Sequence, residues 1–301
     1  MPADQRHLDQ SKLQETVLSW LQKRLDSENF QTLKKTYDSL KGDAEDWEVF
    51  SSFSRASRYT GKEPLKLSGE EISKAESLRS GWMPSYWTTD QLARTLIILG
   101  LAEREKKEFL DKLDKLFTSS DLGEGVALYQ SLPVLPYPDE LTDRAAEGIR
   151  TNITSIFNAV AHRNPYPADF FDDNAWNQVI LKSLFMGSPI YLIQGVDERA
   201  NEPLARILVE YAHERWSAGR EVSPELWRSV GPFIDETYIP DVEKELTHDN
   251  PVHRHATVLA LMDSNLKAAD RILKSHDSLR KEVESKNITW DDIGKAVHNS
   301  D

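Results

Sequence analysis

Glu210 and His213 stand three residues apart in a stretch with helical periodicity. That Glu-x-x-His spacing puts a carboxylate and an imidazole on one helix face, the arrangement by which di-metal helix bundles hold their ions. The pair falls on the polar side, away from the apolar stripe of Leu204, Ile207, Leu208, Tyr211 and Ala212. A di-metal site also needs a partner Glu-x-x-His and two further glutamates beside it. A solvated helix face is therefore expected, with metal binding by Glu210 and His213 as the sharper alternative. His253 and His255 look like a second chelate, but residues two apart on a helix point roughly 200° from each other. Asn250-Pro251 reads as the start of such a helix. His162 closes an apolar helical stretch, where an imidazole meets the negative end of the helix dipole. Were the chain an enzyme, His162 and His213 are its candidates for general acid or base. With no cysteine, no Gly-rich phosphate loop, no G-x-S-x-G elbow and no H-E-x-x-H, covalent, nucleotide and zinc-protease chemistry find no carrier. No cofactor is expected.

Polar residues are dense between 147 and 231. Glu147, Arg150 and Asn152 lie along and just past a helix that is apolar elsewhere. Asn164-Pro165-Tyr166-Pro167 is a rigid turn, and Asn177 and Lys182 interrupt an apolar helix. Asp197, Arg199 and Asn201 crowd the turn before the next helix, and Arg215 and Arg228 follow. Two readings stay open. In one, Asp197 and Asn201 cap helices while Arg199 and Arg228 bridge to carboxylates. In the other, several of these twelve side chains converge on a concave surface and bind a polar or anionic small molecule, for which Arg and Asn supply the donors.

The elements that must position these groups read as helices throughout. Ser68-x-x-Glu71 and Thr88-x-x-Gln91 are capping boxes, the second with Trp87 and Leu92 placed as a hydrophobic staple. The charged run Glu103–Lys115 has Phe109, Leu113 and Leu116 beneath it, the pattern of an amphipathic surface helix. No segment alternates as a strand over more than a few residues. Helices of 12–20 residues joined by short Pro/Gly turns predict an all-α fold of stacked antiparallel pairs, an α-solenoid or HEAT-like superhelix. Three prolines in 131–142 exclude a regular helix there. That stretch is expected to connect an N-terminal helical part, 1–130, to a C-terminal one, 143–301, unless the whole is one continuous domain.

A net charge of −13 argues against nucleic acid and against unassisted docking on an anionic membrane. The most apolar stretch, Leu96–Leu101, is too short to span a bilayer. The polar start MPADQRHLDQ lacks the apolar core of a secretory signal, so a cytoplasmic protein is expected.

Several long strings occur in a recognisable order: WTTDQLARTLIILGLAE, LGEGVALYQSLPVLPYP, RAAEGIRTN, NPYPADFFDDNAWNQVILKSLFMGSPI, IQGVDERANEPLARILVEYAHERWSAGR and SPELWRSVGPF. Together, from about Trp87 to Phe233, they resemble the EboA family. The resemblance implies a cytoplasmic helical-repeat protein of a bacterial operon. Its neighbours there include a membrane prenyltransferase of the UbiA type, a sugar-phosphate-cyclase-like enzyme and hydrolase-like proteins. It implies no reaction and no catalytic residues. A non-catalytic binding or scaffold protein follows as the expectation, one that assists biosynthesis or export of a prenylated or other hydrophobic metabolite. Its partners would be the other operon-encoded proteins. The alternative is a small-molecule enzyme, with or without a metal ion, that has a polar pocket in 147–231.

Overall fold

The computed structural model describes residues 8–299, and every regular element among them is helical. The chain divides between Phe171 and Asp172 into two compact units. The first holds α1 (Gln10–Gln22), α2 (Ser27–Leu40), α3 (Asp46–Thr60), α4 (Gly69–Leu78), α5 (Thr89–Leu99) and α6 (Lys106–Ser119). It continues with α7 (Leu122–Ser131), α8 (Thr142–Arg150), α9 (Thr154–Ala161) and α10 (Tyr166–Phe170). The second holds α11 (Asp173–Met186), α12 (Glu202–Ser217), α13 (Trp227–Val230), α14 (Ile239–Leu246), α15 (Pro251–Asp263), α16 (Lys267–Ser275), α17 (Asp277–Ser285) and α18 (Trp290–His298).

Local chemistry explains where the helices begin. Asp9 and Asp26 cap α1 and α2 through their carboxylates, and both expected capping boxes form, Ser68 with Glu71 and Thr88 with Gln91. The charged run after Glu103 becomes α6, which buries Phe109, Leu113 and Leu116.

Packing in the first unit gathers on α5. Its sequence is apolar around most of its circumference, and nearly every residue from Thr89 to Leu99 is buried. Such a helix belongs at the centre of a unit rather than on its surface. Helices α1, α2, α3 and α7 all lie against it, and α9 then lies against α7. Each buried Leu or Ile contributes roughly 1.5–3 kcal/mol. In the second unit α15 has the same role, with α13, α14, α16, α17 and α18 around it.

The Pro-rich stretch 131–142, expected to connect two parts, lies inside the first unit. It forms two short 3₁₀ turns, and Leu132, Pro133, Val134, Leu135 and Leu141 are buried. Its carbonyls are taken up by distant donors: Gln10 donates to Val134 at 3.2 Å and Arg79 to Pro133 at 3.1 Å. A segment without helical hydrogen bonds can be interior when side chains supply the missing partners.

Glu71 does more than close its capping box. It accepts from Arg24 at 2.5 Å, Lys23 at 3.0 Å and the Ser68 N–H at 3.1 Å, tying the end of α1 to the start of α4. Burial alone pushes this carboxyl up. The Arg24 hydrogen bond, the Ser68 N–H and Lys23 outweigh it and hold the group at about 2, below its ordinary 4.5. Unfolding releases the group to its ordinary value. The stabilisation is therefore complete above about pH 4.5 and is lost as pH falls from there towards 2. Glu71→Gln is expected to cost on the order of 3 kcal/mol near neutral pH and far less near pH 2. Urea denaturation of both proteins across that range measures it, and an equal deficit at both ends would rule out the charge as the cause.

Candidate functional site

The stretch 147–231 straddles the division between the units, so its residues belong to two separate settings. In the second unit most of them are joined to one another. Arg228 donates to both oxygens of Asp197, at 2.6 and 2.7 Å, and reaches Asp291 at 3.9 Å. Burial works against the Arg228 charge, but the Asp197 hydrogen bonds and the fields of Asp197, Asp291 and Glu225 outweigh it and raise its pKa. Nearby on α15, burial raises the Asp263 carboxyl, with the Asp197 charge adding to it and the Trp290 indole at 3.4 Å opposing it. Asn177 and Asn201 exchange amide hydrogen bonds at 3.2 and 2.9 Å, and Asn201 also caps α12 through the Leu204 N–H. Arg199 pairs with Asp173 at 3.0 Å and lies 5.2 Å from the Trp176 ring centre. Arg215 donates to the Glu221 carbonyl beyond the end of α12. Lys182 sits on α11.

His213, His253, His255 and His298 each meet a carboxylate. His213 meets Asp241 at 2.8 Å on an exposed face of α12, while Glu210 stays at the surface. A second Glu-x-x-His does exist, Glu245 and His248 at the end of α14, outside the stretch that drew attention in the sequence. Glu245 is buried against His253 at 2.7 Å, and the His248 ring stacks on His253 at 3.8 Å. His255 faces Glu282 at 3.4 Å, so the two histidines of α15 serve different carboxylates, as their helical spacing requires. Among the described residues, no group of three or more His, Asp or Glu is placed to hold a metal ion.

Glu225 joins this region to α18. It is 3% exposed and accepts from the Tyr191 N–H at 2.8 Å, with His298 at 2.6 Å on its other oxygen. Gly294 lies against the Tyr191 ring so closely that a β-carbon would stand 2.2 Å from Cδ1. Removing the carboxylate leaves a buried N–H unpaired and frees α18. Glu225→Ala is expected to cost about 2–4 kcal/mol and to speed amide exchange over 290–298. Unchanged exchange there would refute the attachment.

In the first unit, Glu147 bonds Arg144 at 2.6 Å, and Arg144 also pairs with Asp114. Asn164 spends its whole amide on the turn after α9. Its Nδ2 donates to the Tyr129 and Ala159 carbonyls at 3.2 and 2.9 Å, and its Oδ1 accepts from the Tyr166 N–H at 3.0 Å. Tyr166 is fully buried and donates to the Pro138 carbonyl at 2.5 Å, and burial pushes its phenol pKa up. His162 follows the last residue of α9, as expected of a helix end. Arg150 ends α8 and Asn152 follows it.

Between His162 and Asn164 stands Arg163, which the sequence reading passed over. Its backbone is left-handed, φ 50°, and its guanidinium lies 3.7 Å from the centre of the Tyr86 ring. Tyr86 ends the turn Pro84–Tyr86 that leads into α5 and is 56% exposed. Arg79, which follows α4, forms an ion pair with Asp169 of α10. The sequence signal for this meeting was an arginine set between a helix end and an Asn-Pro turn. Only the fold shows what it touches.

These features describe an all-helical protein whose polar groups fix turns and helix ends. A family model described as metabolite traffic protein EboA matches residues 13–231, and the chain belongs to that family. The match takes in α1–α4, upstream of the recognisable strings, and stops before α14. No curated protein and no solved structure matches the chain. No helix among the described residues is long and apolar enough to cross a membrane.

Proposed function

We propose that this chain is a non-catalytic binding protein that holds a metabolite during its biosynthesis or export. The metabolite would be prenylated or otherwise hydrophobic, with a polar or anionic group. The chain would work in the cytoplasm beside the other operon-encoded proteins, the membrane prenyltransferase among them. Membership in a family of metabolite traffic proteins supports a role with small molecules. One observation carries the reading further. The polar side chains of 147–231 are committed to geometry: Asn177 to Asn201, Asp197 to Arg228, and Asn164 to three backbone groups. With their own donors spent, these groups do not supply ligand contacts; they brace the surface in advance, so a ligand meeting other groups there costs less to order.

Native mass spectrometry of the gently purified protein tests this. The expected result is an equimolar organic adduct whose mass stays the same through prolonged incubation. Conversion of the adduct to a second compound would overturn the non-catalytic reading. A bare protein that also retains none of its operon-encoded partners would overturn the traffic role itself.

A further inference from the structure

We propose that Arg163 and Tyr86 form a binding site for the planar, singly anionic part of a small molecule, an aromatic or conjugated carboxylate. The inference rests on the metabolite-binding reading and names the chemistry that the first unit recognises.

The half-buried and buried arginines among the described residues are otherwise paired. Half-buried or buried guanidinium groups donate to carboxylates at Arg24, Arg79, Arg94, Arg144, Arg199 and Arg228, and to backbone carbonyls at Arg215 and Arg254. Arg163 is also half-buried, yet its contact is the face of an aromatic ring, with no carboxylate or carbonyl in hydrogen-bond reach among the described residues. Among the half-buried arginines of the described residues, Arg163 is set apart by having neither.

Its backbone adds a second, independent observation. A left-handed conformation costs an L residue free energy that glycine escapes and asparagine tolerates. Here asparagine occupies the next position, and the left-handed one is given to arginine. Asn164 holds the turn in place through three hydrogen bonds, so the strain is fixed by the fold. Lys66 and Tyr137 are left-handed too, so the conformation does not mark a site by itself; at Arg163 it fixes the direction in which the side chain leaves the turn, onto the Tyr86 ring.

The geometry selects the ligand. A guanidinium stacked on a ring keeps its N–H edge free in the plane of the stack, and that edge matches the two oxygens of a carboxylate. The half-exposed Tyr86 ring continues the flat surface on which a conjugated group can lie. One guanidinium balances one negative charge. Arg79, seven residues before Tyr86, is already paired with Asp169, six residues after Arg163, and offers no second positive charge. A phosphate or diphosphate is therefore a poorer match than a carboxylate.

Isothermal titration of the full chain tests the site with two probes of one shape, 2-naphthoate and its neutral counterpart 2-naphthylmethanol. The wild type is expected to bind the naphthoate about tenfold more tightly than the alcohol, as a charge-assisted fork implies. Arg163→Gln should erase that preference, and Tyr86→Ala should weaken both probes, with circular dichroism confirming an intact fold. Equal affinity for the two probes, no binding by the wild type, or an undiminished preference in Arg163→Gln each overturns the proposal. The two readings fail separately. A co-purified metabolite retained by Arg163→Gln sinks this site and spares the traffic role. Arg163-dependent naphthoate binding by a protein that never carries a metabolite does the reverse.

Discussion

A helix buried on every side must settle its own polar groups before it can pack, and α5 is such a helix. Asp90 and Arg94 pair with each other one turn apart, Arg94 also donates to the Phe53 carbonyl at 3.2 Å, and Thr89 donates to the Thr60 carbonyl at 3.0 Å. The last two bonds reach α3, and Thr89 satisfies a carbonyl that the end of that helix would otherwise leave open. These bonds do what apolar packing cannot: they set the register of α5 against its neighbour. A buried pair of this kind is costly to break, about 3–5 kcal/mol when one partner goes, even though it adds little by existing. The rest of the first unit hangs from this. The turn that carries Tyr86 runs directly into the capping box of α5. Arg163 follows α9, which is held to α5 through α7. A shift of α5 would separate the two side chains.

The second unit meets the same constraint by a different route. Its central helix α15 admits its neighbours through small side chains. Gly231 sits where a β-carbon would lie 2.9 Å from the Ala260 backbone, and Ala256 and Ala260 are fully buried. Polar contacts then fix orientation from outside: Glu245 with His253, and Arg228 with Asp197 and Asp291. Close backbone approach sets the distance, and charge sets the angle.

Most of the helices could be read from the chain because they are specified locally. Capping boxes, Pro at first positions and apolar stripes each need only a few neighbouring residues. The pairing of histidines on α15 with separate carboxylates also follows from spacing alone. The apolar Leu132, Val134 and Leu135 mark 131–142 as able to pack, but the donors that satisfy its carbonyls, Gln10 and Arg79, lie far away in sequence and were not legible. The division at Phe171 was hidden for the same reason: a boundary is a drop in long-range contact, and no local signal reports it. Among candidate site residues, the sequence singled out polar types in turns. Many of those proved to be the turns' own fastenings, as with Asn164, Asn201 and Asp197. Arg163 escaped notice because the ring it meets, Tyr86, lies far upstream in sequence.

The attachment of α18 bears on where this protein can be cut. The family match ends at residue 231, inside the 3₁₀ turn Gly231–Phe233. The helix that covers Gly231 and the helix that receives Glu225 both lie beyond it. A fragment trimmed to the matched span would lose the middle of the second unit while keeping its periphery. It would expose the flanks of Trp227 and Tyr191 to water. The shared span is thus a record of common descent rather than a unit of folding, and the tail after it completes the body that the span begins.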